Sequence, residues 1–183
     1  MSNTLAFSLI KKCVLLVLVT SIFSSCSKTK EVKNLRTSFH NDLEGYEGWV
    51  GISGYMNMVN DAHSGWHAQR TDAISNFSIT FLRQLQELSN TPIKNFNMSI
   101  WVKCMSADAK GSYILSIESG TEVIKYFSFD LQEKNIKANQ WVQITGEGEM
   151  PPVQPKDAIL KIYFWNKGRT PILIDDLDFS FEN

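Results

Sequence analysis

Apolar side chains recur at every second position from about Thr37 to Glu182, and this periodicity dictates strands rather than helices. Met98, Ile100, Val102 and Cys104 alternate with Ser99, Trp101 and Lys103. Tyr113, Leu115 and Ile117 alternate with Ser112, Ile114 and Ser116, and Leu160, Ile162 and Phe164 with Lys161, Tyr163 and Trp165. Phe77, Ile79 and Phe81 interleave with Asn76, Ser78 and Thr80. Lys125, Phe127, Phe129 and Leu131 interleave with Ile124, Tyr126 and Ser128, and Leu173, Leu177, Phe179 and Phe181 close the chain. A period of two with one apolar face is the pattern of antiparallel strands that rest one side on a core and turn the other to water.

Turn-forming residues punctuate these runs: Asp108 to Gly111, Ser119-Gly120, Lys134-Asn135, Met150-Pro151-Pro152 and Lys167-Gly168. Many short strands at such spacing predict an all-β fold, a two-sheet antiparallel β-sandwich over residues 37–183. The one stretch compatible with a helix is Phe81 to Leu88, where Leu82, Leu85 and Leu88 stand at helical spacing or end a strand. The three cysteines, two of them near the N-terminus, cannot form a disulfide framework. Cys104 has the core-facing parity of its strand and reads as a buried structural thiol. With 18 Lys+Arg against 19 Asp+Glu, the chain lacks the basic excess of a protein that holds nucleic acid by bulk phosphate attraction.

The first residues read as an address. Lys11 and Lys12 precede an apolar run from Cys13 through Phe23, and Ser24 and Ser25 lead into Cys26. A basic end, a short apolar middle and a small-residue cleavage site form a secretory signal, too short to span a bilayer. Cys26, directly after residues 1–25, makes that segment resemble a bacterial lipoprotein signal, which implies lipidation at Cys26 and attachment to the membrane by that lipid. Phe23 departs from the leucine commonest three places before that cysteine. Ser27 in place of aspartate implies sorting to the outer membrane. Residues 26–36 are polar and aperiodic and read as a flexible tether.

Three local patterns go further. Asn41-Asp42-Leu43-Glu44-Gly45 opens the body, Ala62-His63-Ser64-Gly65-Trp66-His67 follows, and Ile172-Leu173-Ile174-Asp175-Asp176-Leu177 ends it. With Ser99 to Lys103 and Asn139 to Val142 between them, their order resembles the jelly-roll domains of the galactose-binding-like superfamily, in particular carbohydrate-binding modules. The resemblance covers residues 39–182 and implies a structural Ca²⁺ held by Glu44, Asp175 and the turn from Asp61 to Gly65. Calcium wants six to eight hard oxygen ligands, which carboxylates and carbonyls supply. The alternative is that Asp175, placed on the parity of Leu173 and Leu177, simply accepts backbone N–H groups. Strand alternation sends Asp176 to the face opposite Asp175 and Asp178.

Sugar recognition uses flat aromatic faces flanked by polar groups. Trp101, Tyr163 and Trp165 take the parity opposite the aliphatics, with Lys103 and Lys161 beside them, and would form one stacking platform if their strands share a sheet. Trp49 and Trp66 stand in or beside early loops. His63 and His67 lie four apart beside a turn, where their rings need not converge on a metal. No paired-carboxylate motif, nucleophile elbow or His-Glu-x-x-His stretch points to hydrolysis. The expectation is a non-catalytic module at the bacterial cell envelope that binds a polysaccharide or oligosaccharide. The alternative is a structural lipoprotein that docks another envelope protein.

Overall fold

The structure, a computed structural model, describes residues 36–45, 48–49 and 57–183. The expected signal, Cys26 and all of the tether except Arg36 lie outside the described residues. Among the described residues ten strands run in chain order: β1 (Ser38–Asn41), β2 (Met58–Val59), β3 (Ala68–Thr71), β4 (Phe81–Gln84), β5 (Asn95–Cys104), β6 (Gly111–Ser119), β7 (Glu122–Asp130), β8 (Trp141–Glu149), β9 (Ile159–Asn166) and β10 (Ile172–Glu182). Six of them form one sheet in the order β2-β3-β10-β5-β8, with β1 also paired to β10. The other four form a second sheet, β4-β9-β6-β7. Every pairing is antiparallel, so the expected two-sheet sandwich is the observed architecture.

The alternation reads directly onto the core. Met98, Ile100, Val102 and Cys104 of the six-stranded sheet face Tyr113, Leu115, Ile117, Leu160, Ile162 and Phe164 of the four-stranded one, all buried. Each such side chain contributes about 1.5–3 kcal/mol by leaving water. Aromatic contacts cross between the sheets: Phe81 lies 4.8 Å from Phe39 and 5.6 Å from Phe179, centroid to centroid. Trp49 is buried with its edge against Phe81 and belongs to this core. Burial pushes the Cys104 thiol up to about 11, which leaves it protonated and inert.

The stretch from Phe81 to Leu88 divides into β4 and a single helical turn, α1 (Leu85–Leu88). Leu85 and Gln86 donate their N–H groups to the carbonyls of Ala158 and Lys156, which turns the chain so that Leu85 and Leu88 enter the core. Phe77 departs from the expected inward register. The ladder is interrupted at Ser78, whose hydroxyl accepts the Phe164 N–H while its own N–H goes to the Phe164 carbonyl. Ile79 then points in, fully buried, while Phe77 is 45% exposed.

A second departure lies in β10. Leu173 pairs with Lys103 and Asp175 with Trp101, but Asp178 pairs with Ser99, so β10 carries one extra residue between them. That residue is Asp176, whose φ of 45° is in the left-handed region. The bulge reverses the expected parity. Leu173 and Asp175 face outward, Leu177 enters the core, and Asp176 joins Asp175 on the outer side instead of opposing it.

Two glycines in β8 set the sheet spacing. A Cβ on Gly146 would stand 2.4 Å from the Phe129 ring, and one on Gly148 would stand 2.9 Å from both Phe127 and Phe96. Gly146→Ala therefore forces the Phe129 ring off the core and should destabilise the domain by about 1–3 kcal/mol. Urea denaturation followed by tryptophan fluorescence checks this; an unchanged midpoint would show that the sheets can separate freely there.

Candidate functional site

The turn from His63 to His67 is fastened to both ends of the domain by carboxylates. Asp175 Oδ2 accepts the N–H groups of His63 and Ser64 at 2.8 and 3.1 Å, while Oδ1 accepts the Asp176 N–H at 2.8 Å. Asp176 takes the His63 ring Nδ1 at 2.6 Å and the Ser64 hydroxyl at 2.7 Å. Glu44 Oε1 accepts the N–H groups of Trp66 and His67, and Oε2 pairs with the His67 ring at 2.9 Å. The Trp66 N–H is the largest influence holding the Glu44 carboxyl below its ordinary range. Burial pushes the Asp175 carboxyl up, against its backbone hydrogen bonds. Gly65, with φ of 61°, packs against Glu44, where a Cβ would stand 2.5 Å from Oε1.

These bonds engage the carboxylates that the resemblance offers to calcium. Both oxygens of Glu44 and of Asp175 already carry N–H partners. Asp61 gives both of its oxygens to the Lys103 ammonium at 2.8 Å. Among the described residues no group of three or more His, Cys, Asp and Glu side chains is arranged to hold a metal. In this arrangement the Glu44 and Asp175 carboxylates act as clamps on the turn, the role that the sequence left open for Asp175, and the Asp61 carboxylate holds Lys103.

The expected single platform of Trp101, Tyr163 and Trp165 does not form. Trp101 and Lys103 lie on β5 in the six-stranded sheet, Tyr163, Trp165 and Lys161 on β9 in the four-stranded one. All point away from the core, so they occupy opposite outer faces of the sandwich. The His63 ring covers Trp101, with centroids 3.8 Å apart and planes 14° from parallel, and Trp141 meets His63 edge-on at 5.7 Å. Lys103 is committed to Asp61.

The outer face of the four-stranded sheet gathers aromatic rings instead. Phe77 stacks on Trp165 at 6.0 Å and meets Tyr163 edge-on at 5.8 Å. Register places three rungs across β9, β6 and β7: Lys161-Ser116-Tyr126, Tyr163-Ile114-Ser128 and Trp165-Ser112-Asp130. Tyr126 is 45% exposed, like Phe77. Lys161 pairs with Glu118, and Lys167 spans the Trp165 ring at 5.5 Å and Asp130 at 2.8 Å. Burial, together with Tyr126 and Glu118, pushes the Tyr163 hydroxyl up, so it stays protonated and able to donate. Sequence reading missed Phe77 and Tyr126. Tyr126 shares the outward parity of Ser128 and was legible there; Phe77 was hidden by the irregular ladder at Ser78.

No protein-family model and no curated protein sequence matches the chain. Solved structures do. The chain is similar to the CBM22-2 xylan-binding domain of Paenibacillus barcinonensis Xyn10C, at 14% identity and a TM-score of 0.56, over 79% of this chain and 99% of that one. The shared fold is the jelly roll of carbohydrate-binding modules. Further from it stand the CBM22-1–GH10 modules of Clostridium thermocellum Xyn10B complexed with xylohexaose (16% identity, TM-score 0.48, 79% of this chain and 28% of that one). A family 16 carbohydrate-binding module matches at 10% identity with a TM-score of 0.43, over 67% of this chain and 82% of that one.

A ligand at 100 times its Kd raises stability by about 2.7 kcal/mol. Thermal unfolding in excess EDTA and in millimolar calcium should give the same midpoint. A midpoint several degrees higher in calcium would restore the metal reading of Glu44 and Asp175.

Proposed function

We propose that this jelly roll is a non-catalytic glycan-binding module whose sugar chain lies on the outer face of the four-stranded sheet. The observation that carries the reading is the Phe77–Trp165 pair, stacked, solvent-facing and flanked by Tyr163 and Tyr126. A sugar ring presents axial C–H bonds on one face and hydroxyls around its rim. The aromatic rings receive the C–H face, and the rim meets the Lys161–Glu118 and Lys167–Asp130 pairs and the Tyr163 hydroxyl. Mutual pairing leaves each lysine and carboxylate oriented, so little side-chain entropy remains to be lost on binding.

The likeness of the fold to xylan-binding domains supports a β-linked plant-type polysaccharide as the first ligand class to try. The signal-like segment ending at Cys26 supports a lipid anchor and an outer-membrane location, with the polar residues 26–36 as spacer between membrane and module. In that setting the module holds polysaccharide at the cell for enzymes or transporters carried on other chains.

Calorimetric titration with xylohexaose and cellohexaose tests the assignment. Phe77→Ala with Trp165→Ala should weaken binding at the aromatic face about tenfold or more, since losing each stacked ring forfeits about 1–3 kcal/mol by analogy with other ring-stacking surfaces. Unchanged affinity in a double variant that unfolds normally in urea would remove this face from the site.

A further inference from the structure

The opposite side of the sandwich carries a groove of quite different chemistry. It runs over the outer face of the six-stranded sheet across β1, β10, β5 and β8, with a volume of about 680 Å³. That lies within the roughly 300–1,000 Å³ of small-ligand sites. Three inter-strand steps give it a span of about 14 Å. The outward positions here are hydroxyls, amides and acids, while Met98, Phe179 and, beside Gly146, Phe129 of β7 form the floor, and the lining has no lysine or arginine.

Part of this surface is already organised. Asp178 Oδ1 pairs with the His40 ring at 2.8 Å, and Oδ2 accepts the Ser99 hydroxyl at 3.4 Å. Ser99 Oγ in turn accepts the Gln143 side-chain N–H at 3.2 Å. This relay crosses four strands and aims the remaining capacity of Gln143 and Asp178 in fixed directions. Around it Asn97, Thr145, Glu147 and Ser180 make no side-chain hydrogen bond to other described residues. One rung beyond Ser99, Trp101 marks the end of the groove, its ring held in place by His63.

We infer that this groove is a second ligand site, for a neutral polyhydroxylated chain such as an oligosaccharide, held by hydrogen bonds rather than by ring stacking. Hydroxyl groups both donate and accept, as the amides and carboxylates of the lining require. An apolar ligand would strip water from those groups and leave them without partners. An anion would meet the Asp178 and Glu147 carboxylates in a lining that holds no lysine or arginine to offset them. The inference does not depend on the aromatic face, and the two sites together would let one module bind two strands or one bent chain.

The test uses the full chain in four forms: unaltered, Phe77→Ala with Trp165→Ala, Asn97→Ala with Gln143→Ala, and all four changes together. Calorimetry with xylohexaose and cellohexaose should find two oligosaccharides per unaltered chain. It should find one in the aromatic variant, and about tenfold weaker binding again when the groove is also altered. A stoichiometry of one that only the aromatic changes affect overturns the inference and leaves the aromatic site standing. Loss from the groove changes alone, with the aromatic changes silent, supports the groove and removes the aromatic site. Absence of binding to either probe contradicts both. Binding of a lysine-rich peptide in place of either sugar, abolished by high salt, would make the groove an acidic peptide site and overturn the sugar assignment.

Discussion

The last strand of the chain sits in the middle of the larger sheet, and the rest of the architecture hangs on it. β10 pairs with β5 along one edge and with β3 and β1 along the other, so the six-stranded sheet cannot close until the C-terminal residues are in place. At its centre the bulge at Asp176 puts two adjacent carboxylates on the same side, and both reach the turn at His63 and Ser64. An ordinary strand would have sent one of them into the core. The bulge therefore converts an apolar strand into a fastening point for an early loop more than 100 residues away, and that loop in turn covers Trp101.

The consequence is a division of labour between the outer faces. On the six-stranded side the one outward indole of β5 is covered by a histidine, and what remains is a hydrogen-bonding groove. On the four-stranded side no described loop is fastened over Phe77 and Tyr126, which stay exposed, with Tyr163 and Trp165 half-buried beside them. Same-face charge pairs hold the lysines beside the rings instead of leaving them free. Apart from Phe77, which is held by a single bridge to Trp165, both surfaces stand on strands, which hold their side chains more rigidly than loops do.

Most of the sandwich was legible because antiparallel strands with one wet face write their orientation into the sequence at every second residue. β5, β6 and β9 show it most clearly, Ile114 on the outer rung of β6 aside: Ile100, Tyr113 and Ile162 point in, while Ser99, Ser116 and Tyr163 point out. What failed to read through were the two places where the period itself breaks. At Ser78 a side chain substitutes for the ladder, and at Asp176 an extra residue is inserted; neither carries a glycine or proline that would announce it. Sheet membership was also out of reach, since parity says which way Trp101 and Trp165 point but not which sheet holds them. The family resemblance anticipated the jelly roll and named Glu44 and Asp175 together at the turn, where their oxygens meet backbone N–H groups and the His67 ring. Carboxylates at such positions suit either role, and only the donors around them decide.

The central claim is that a glycan lies across the aromatic face of the four-stranded sheet. Nuclear Overhauser contacts between the ring protons of bound xylohexaose and the aromatic protons of the protein test it directly. The account predicts contacts to Phe77 and Trp165, with Tyr163 and Tyr126 alongside and none to the buried Tyr113. A saturated complex whose sugar contacts fall elsewhere, leaving the resonances of Phe77 and Trp165 unmoved, would contradict it.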